Sequence, residues 1–123
     1  MQISLKDLKE LLLEEKASEV KTSSDSESII GRYVIVRTYS AGVFAGILES
    51  RNGRECVMRD ARRIWYWDGA ASLSQLAMEG TKNPENCKFP CAVDRVELLE
   101  AIEILTTTSE AETSIRGVPV WKK

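Results

Sequence analysis

The sequence predicts an α+β fold: an antiparallel β-meander of about five strands, a capped helix packed beside it, and an N-terminal amphipathic helix. Three observations carry this. β-Branched and aromatic residues gather in short runs, above all Tyr33-Val34-Ile35-Val36-Arg37-Thr38-Tyr39. Asn52-Gly53 stands between two such runs and suits the type I′ turn that joins antiparallel strands. Ser72 and Gln75 form an S-x-x-Q capping box, and Gly80 closes the helix that it opens.

In chain order, Ser4-x-x-Asp7 opens an amphipathic helix over residues 4–16, with Leu5, Leu8, Leu11 and Leu12 on one face. That face suits either the domain's own sheet or another subunit. Residues 17–28 are polar and Ser-rich, a linker composition, so the chain divides into an N-terminal helix plus linker (1–28) and a single α+β domain (29–123). Residues 33–39 are apolar on both faces and predict a central strand. Ser40-Ala41-Gly42 predicts a turn, 43–49 the second strand, 55–58 the third, and 62–67 a fourth after a break at Asp60-Ala61. Alternation in that fourth strand sets Arg63, Trp65 and Trp67 on one face, opposite Arg62, Ile64 and Tyr66. The capped helix spans 72–79, and Asn83-Pro84 and Pro90 punctuate a loop over 81–90. Residues 91–108 fit strand or helix, with a strand favoured at 101–106. One helical turn at 109–114 and an extended tail at 116–121, anchored by Trp121, complete the chain.

Composition narrows the chemistry. The chain has no histidine, which removes Ser-His and Cys-His nucleophile pairs and His-ligated metal. Cys87-x-x-x-Cys91 lacks the paired spacing and fourth ligand of a zinc site, so no metal is expected. The three cysteines are an odd number, fitting a reducing compartment. No apolar run approaches the ~20 residues of a membrane span, and no secretory signal stands at the start. A soluble cytoplasmic protein follows as the expectation. The net charge of −2 hides a segregation. Residues 31–67 hold seven Arg against Glu49, Glu55 and Asp60, whereas residues 97–113 hold five Glu and no base. The cations of the strand-rich middle are all Arg, the better side chain for bidentate phosphate contacts. The acidic overall balance argues against a general nucleic-acid binder.

The densest stretch is Arg62-Arg63-Ile64-Trp65-Tyr66-Trp67. Guanidinium groups beside indoles suit an anionic ligand with flat bases; equally, aromatics are core material and an Arg can lie over a Trp for packing alone. The Thr38-to-Gly42 turn offers backbone N–H groups that can cradle an anion, and the Ser72 helix start offers more. No catalytic constellation emerges. Asp60, Asp68 and Asp94 stand apart from the acidic end segments, each where an Asp also serves a turn. Binding without turnover is the expectation.

Two stretches carry a family resemblance: Arg37-Thr38-Tyr39-Ser40-Ala41-Gly42-Val43, and Ala61-Arg62-Arg63-Ile64-Trp65-Tyr66-Trp67 with Gly69-Ala70-Ala71-Ser72-Leu73-Ser74-Gln75-Leu76-Ala77. They resemble the first-described family of phage Thoeris anti-defence proteins, small sponges that sequester bacterial immune signals. The resemblance spans residues 30–121, most specifically in the Arg-Arg-aromatic block, and leaves 1–28 outside the family pattern. It implies a non-enzymatic, cofactor-free homo-oligomer in the host cytoplasm, a dimer or a hexamer built as a trimer of dimers. It implies binding of cyclic ADP-ribose isomers between subunits, with some members also taking cyclic di- or trinucleotides of the CBASS pathway at a separate site; no membrane and no DNA or RNA are expected. On this resemblance Arg37, Arg62 and Arg63 are the pyrophosphate ligands, with backbone contacts from Ser40, Ala41 and Gly42. Trp65, Trp67 or Phe89 stacks on adenine, and Arg116 contributes from the tail or a second subunit. Two other classes stay open: a structural or protein-interaction subunit of a phage, and a small single-stranded nucleic-acid-binding module.

Overall fold

The computed structural model describes residues 29–123; the expected N-terminal helix and Ser-rich linker lie outside the described residues. The elements are β1 (Tyr33–Thr38), β2 (Val43–Asn52), β3 (Glu55–Arg63), α1 (Leu73–Glu79), a 3₁₀ turn (Pro84–Asn86), β4 (Val93–Leu98), β5 (Ala101–Thr106) and α2 (Ser109–Arg116). All strand pairs are antiparallel, in the order β4-β3-β2-β1-β5. The fold is therefore the expected α+β arrangement of a five-stranded antiparallel sheet with helices beside it.

β1 is an interior strand between β2 and β5, as its two apolar faces require, while β2 holds the central place: Tyr33, Val34, Ile35 and Val36 are all buried. β4 and β5 sit at opposite edges of the sheet yet are separated in sequence only by Leu99 and Glu100. Leu98 pairs with Cys56 on β3, and Ala101 pairs with Thr38 on β1 while donating its N–H to Arg54 O at 2.9 Å. The two edges therefore converge at this corner, and the sheet curls toward a barrel. Its alternate residues fill two cores. Val34, Val36, Phe44, Leu48, Cys56, Met58, Ala61 and Leu98 form the cluster inside the curl, with Ile29 packed against it. Tyr33, Ile35, Ala45 and Ile64 face outward, where Leu76, Ala77, Phe89, Ile115 and Val118 cover them. Each such fully buried aliphatic or aromatic side chain contributes roughly 1.5–3 kcal/mol of transfer free energy.

Two of the expected strands are one. The expected break at Asp60-Ala61 is a β-bulge inside β3: Ala45 pairs with Arg62 and Ile47 with Arg59, so Gly46 faces two residues. Only a glycine fits there, because a Cβ on Gly46 would stand 2.8 Å from Ala61 Cα and 2.9 Å from Arg59 O. Beyond Arg63 the expected strand does not continue. Trp65 and Tyr66 both point their N–H groups at Lys88 O, at 3.2 and 3.3 Å, leaving only an isolated bridge between Tyr66 and Lys88. With two residues opposite one, the alternation slips, and Trp67 joins the outer core beside Ile64 instead of sharing a face with Arg63. The fifth strand is β4, which the sequence left between helix and strand.

The capping box is present with one arm displaced. Ser72 Oγ accepts from Gln75 N at 3.1 Å, while Gln75 Oε1 accepts from Ala71 N at 2.7 Å, one residue before the expected partner. Gly80 ends α1 at φ +77°, its backbone against the side chain of Ser114, so α1 and α2 meet closely there. α2 is longer than the single turn expected, with Thr108 as its N-cap and Glu112–Arg116 paired across one turn at 2.9 Å. The tail docks through its backbone, Trp121 N to Phe89 O at 3.0 Å, and through buried Val118; the Trp121 ring itself stays 42% exposed. No helix among the described residues is long and apolar enough to cross a membrane.

Candidate functional site

The β3 bulge sets the geometry of the site. Before it, Cys56 and Met58 face the interior of the curl; after it, Ala61 does, and Arg62 turns to the outer face under the helices. A strand without the extra residue would have sent Arg62 into the apolar interior. In its actual place Arg62 is 5% exposed and donates four hydrogen bonds to backbone carbonyls: Nη2 to Phe89 O (2.8 Å), Nη1 to Val118 O (2.9 Å) and Ile115 O (3.1 Å), and Nε to Pro90 O (3.2 Å). It ties β3 to the C-terminal end of α2 and to the 89–90 loop. Burial pulls the guanidinium below its ordinary value, an effect that nearby Tyr33, Cys91 and Asp60 oppose. Its acceptors are neutral, so a positive charge lies under this face without a bonded carboxylate among the described residues.

Beside it opens a cleft of about 180 Å³ lined by Tyr33, Asp60, Arg62, Ala92, Arg116 and Val120. It adjoins a second recess of about 290 Å³, where Arg32, Ser109 and Glu112 join Tyr33 and Arg116. The Arg116 guanidinium lies over the Tyr33 ring, 4.5 Å from its centroid, with Nη1 on Asp60 at 2.6 Å and Nε on Glu112 at 2.9 Å. Desolvation opposes the Arg116 charge, but the hydrogen bonds to the two carboxylates outweigh it and raise the group above its ordinary value. Burial pushes the Tyr33 hydroxyl up to about 12, against the smaller opposing pull of Arg116 and Arg62. The arrangement presents the Arg116 cation laid on a covered ring, with the Asp60 and Glu112 carboxylates already seated on it.

A family model matches residues 31–115, which span the sheet and both helices. The chain belongs to this family. Its domain is described as one of unknown function, DUF6948. No curated protein matches the chain. The DUF6948 region contains Arg32, Tyr33, Asp60, Arg62 and Glu112, while Arg116 follows directly after it.

The other sequence-predicted residues fall elsewhere. Phe89 is fully buried, with Arg62 5.4 Å above its ring, so it presents no free face and is core rather than an adenine stacker. Arg62 likewise has four of its five N–H donors on backbone carbonyls, so it is bound into the fold rather than held out for a pyrophosphate. Trp67 is half-buried and donates to Ala70 O at 3.1 Å; Trp65 is 64% exposed. Arg63 is exposed and lies over the Phe44 ring at 4.6 Å. Arg37, Ser40, Ala41 and Gly42 sit where β1 turns into β2, opposite an acidic corner: Arg37 pairs with Glu103 at 3.0 Å, and Ser40 Oγ reaches Glu100 at 3.5 Å. There Ala41 N is already bonded to Thr38 Oγ1 at 2.9 Å, so the turn spends part of its cradle on itself. Arg62 and Arg116 are thus the two predicted residues that the fold brings together in the cleft.

Sequence reasoning missed Arg32 and Tyr33 as cleft residues, because nothing local in a strand start announces them. Asp60 had a usable signal, an acid interrupting an apolar strand. A larger open trough of about 810 Å³ lies between the β2–β3 hairpin and β5, with Ile29, Ala101, Ile102 and Ile104 beside Arg51 and Arg54. Its floor is aliphatic and its arginines stand at the hairpin end, so it offers less to a compact anion than the cleft does.

Proposed function

We propose that the protein binds and sequesters an anionic, adenine-bearing cyclic nucleotide without cleaving it, as an anti-defence sponge of the Thoeris type working in the cytoplasm of an infected bacterium. The observation that carries this reading is Arg116 set on the Tyr33 ring above the buried charge of Arg62, with Arg32 lining the adjoining recess. A planar guanidinium on an aromatic face pairs with phosphate oxygens, and a cationic floor concentrates anions at the opening. Cyclic ADP-ribose isomers carry a pyrophosphate and adenine; cyclic di- and trinucleotides offer separate phosphodiester anions and flat bases instead.

The cleft and its adjoining recess hold about 180 and 290 Å³ in one chain, toward the lower end of the ~300–1,000 Å³ of pockets that bury a drug-sized ligand. A second subunit completing the site would make ligand binding and assembly mutually stabilising. The residues around the cleft bind and orient; the proposal assigns none of them a bond-breaking role, and recovery of the ligand intact is part of the test.

One observation favours a second reading, a structural or protein-interaction subunit. The Lys88 ammonium lies 5.8 Å from the Tyr66 centroid and 5.7 Å from that of Trp121, both rings are exposed, and Trp65 is exposed nearby along the chain. Exposed aromatics of this kind are enriched at interface centres.

The deciding experiment is a thermal-shift screen against cyclic ADP-ribose isomers, cyclic di- and trinucleotides, linear ADP-ribose and short oligonucleotides, with bound material released by heat and identified by mass. Stabilisation by a cyclic species that is released unchanged is the expected result. A flat response to all of them sinks the sponge reading and leaves the interaction subunit. Binding that grows with oligonucleotide length and collapses with salt points instead to a single-strand module.

A further inference from the structure

We infer that Asp60 is a resident counter-anion for Arg116, seated where a diphosphate group of the ligand sits when the cleft is filled. This rests on the cleft being the anion site proposed above. The backbone singles Asp60 out: at φ 50° it is the one non-glycine residue with positive φ among the described residues. It is also part of the bulge opposite Gly46. Glycine takes that conformation freely, and Asp and Asn are among the few other residues that adopt it, at a modest cost. What the side chain adds is a carboxylate, and that carboxylate reaches Arg116 Nη1 at 2.6 Å.

Arg116 is otherwise prepared for an incoming anion. Tyr33 supports the flat face of the guanidinium and Glu112 holds Nε, so its orientation does not depend on Asp60. The Arg116 and Asp60 side chains are 38% and 49% exposed, so exchanging one anion for another at Nη1 requires no opening of the core. A diphosphate brings more charge and more acceptor oxygens than one carboxylate, and Arg32 lines the recess that its second phosphate would enter. Ligand entry therefore displaces Asp60 toward solvent. Affinity is reduced by the share of molecules in which the Asp60–Arg116 pair is closed.

The test is calorimetric titration of the full chain and of Asp60→Asn with inorganic pyrophosphate at one fixed ionic strength. Asn keeps the size and tolerates positive φ, so the fold is retained; Asp60→Gly removes charge and strain together and serves as the second variant. Both are expected to bind pyrophosphate about fivefold more tightly than the natural chain, the equivalent of one exposed ion pair. Arg116→Ala in the Asp60→Asn background should abolish the gain. Equal or weaker binding by the Asp60 variants overturns the inference, weaker binding meaning that Asp60 contacts the ligand itself. Absence of pyrophosphate binding in every form overturns it too. The two readings fail separately. A natural chain that binds a cyclic ADP-ribose isomer, with no pyrophosphate gain in the variants, removes only the role of Asp60. A pyrophosphate gain without binding of any cyclic nucleotide removes only the sponge.

Discussion

Arg62 offers the sharpest test of the structural reasoning, because two roles for it predict opposite results. As an anchor, it satisfies the carbonyls of Phe89, Pro90, Ile115 and Val118 from a position 5% exposed. Arg62→Ala removes every donor at once and leaves those acceptors around an apolar gap. Each buried polar group left unsatisfied costs ~1–3 kcal/mol, and water entering the gap recovers part of it. Four carbonyls at that cost, less what water recovers, give a net loss of about 4 kcal/mol. That is a large share of the ~5–15 kcal/mol of a typical domain and lowers Tm by roughly 15–25 °C. Urea denaturation followed by far-UV circular dichroism would read it as a drop in midpoint at unchanged slope. Arg62→Lys should recover less than half, since an ammonium cannot span four carbonyls with a planar fork. Arg116→Ala, which breaks exposed pairs, should cost no more than ~1 kcal/mol. Loss of less than ~1 kcal/mol in Arg62→Ala, accompanied by loss of nucleotide binding, would refute the anchor and return Arg62 to the direct phosphate role expected from its sequence context.

Three further outcomes follow from the fold. Gly46→Ala should destabilise by ~2–3 kcal/mol or abolish folding, because the new Cβ would meet the backbone of Ala61 and Arg59, which cannot move aside; a soluble variant with the natural urea midpoint would contradict the bulge. Ser72→Ala should cost ~1 kcal/mol by stripping the cap from Gln75 N, and an unchanged midpoint would mean that the α1 start is held by packing alone. Tyr33 titrates at about 12 when folded against 10.0 unfolded, so its contribution is complete below pH 10 and is lost as pH rises toward 12. The loss amounts to roughly 2–3 kcal/mol, and a tyrosinate absorbance titration that tracks alkaline unfolding checks it.

What could be read from the chain follows the range of the interactions involved. The hairpin near Asn52-Gly53, the Ser72 cap, the Gly80 stop and the interior place of β1 are written in neighbouring residues and stand in the structure. The turn, however, falls one residue later than the Asn-Gly signal suggests. Asn52 closes β2 against Glu55, and Gly53-Arg54 make the turn with positive φ at Gly53 alone, whereas a type I′ turn has it at both central residues. The break at Asp60-Ala61 was legible as a place but not as a kind. A broken strand and a bulged strand carry the same local signal, and only the partner strand, with Gly46 opposite the extra residue, decides between them. β4 was illegible for a related reason: in Val93–Leu98 only Leu98 is fully buried, so its apolar pattern is weak and its strand character comes from pairing with β3.

The same slip explains why the candidate site was only half visible. Reading 62–67 as a regular strand put Arg62 and Arg63 on opposite faces, which is correct, but left open which face was inside. The bulge answers this by consuming one residue. It turns Arg62 under the helices and leaves Arg63 on the other side over Phe44. It also pushes Asp60 out toward Arg116. One inserted residue thus sets an anchoring cation, the carboxylate beside the cleft and the pairing of that carboxylate with the outer cation. Adjacent arginines in sequence therefore do different physical jobs here. Under the proposed function the cations offered to a ligand are those that border the cleft and its recess, Arg116 on Tyr33 and Arg32 beside it, whereas Arg62 is bound to carbonyls and Arg63 lies on the other face of the sheet.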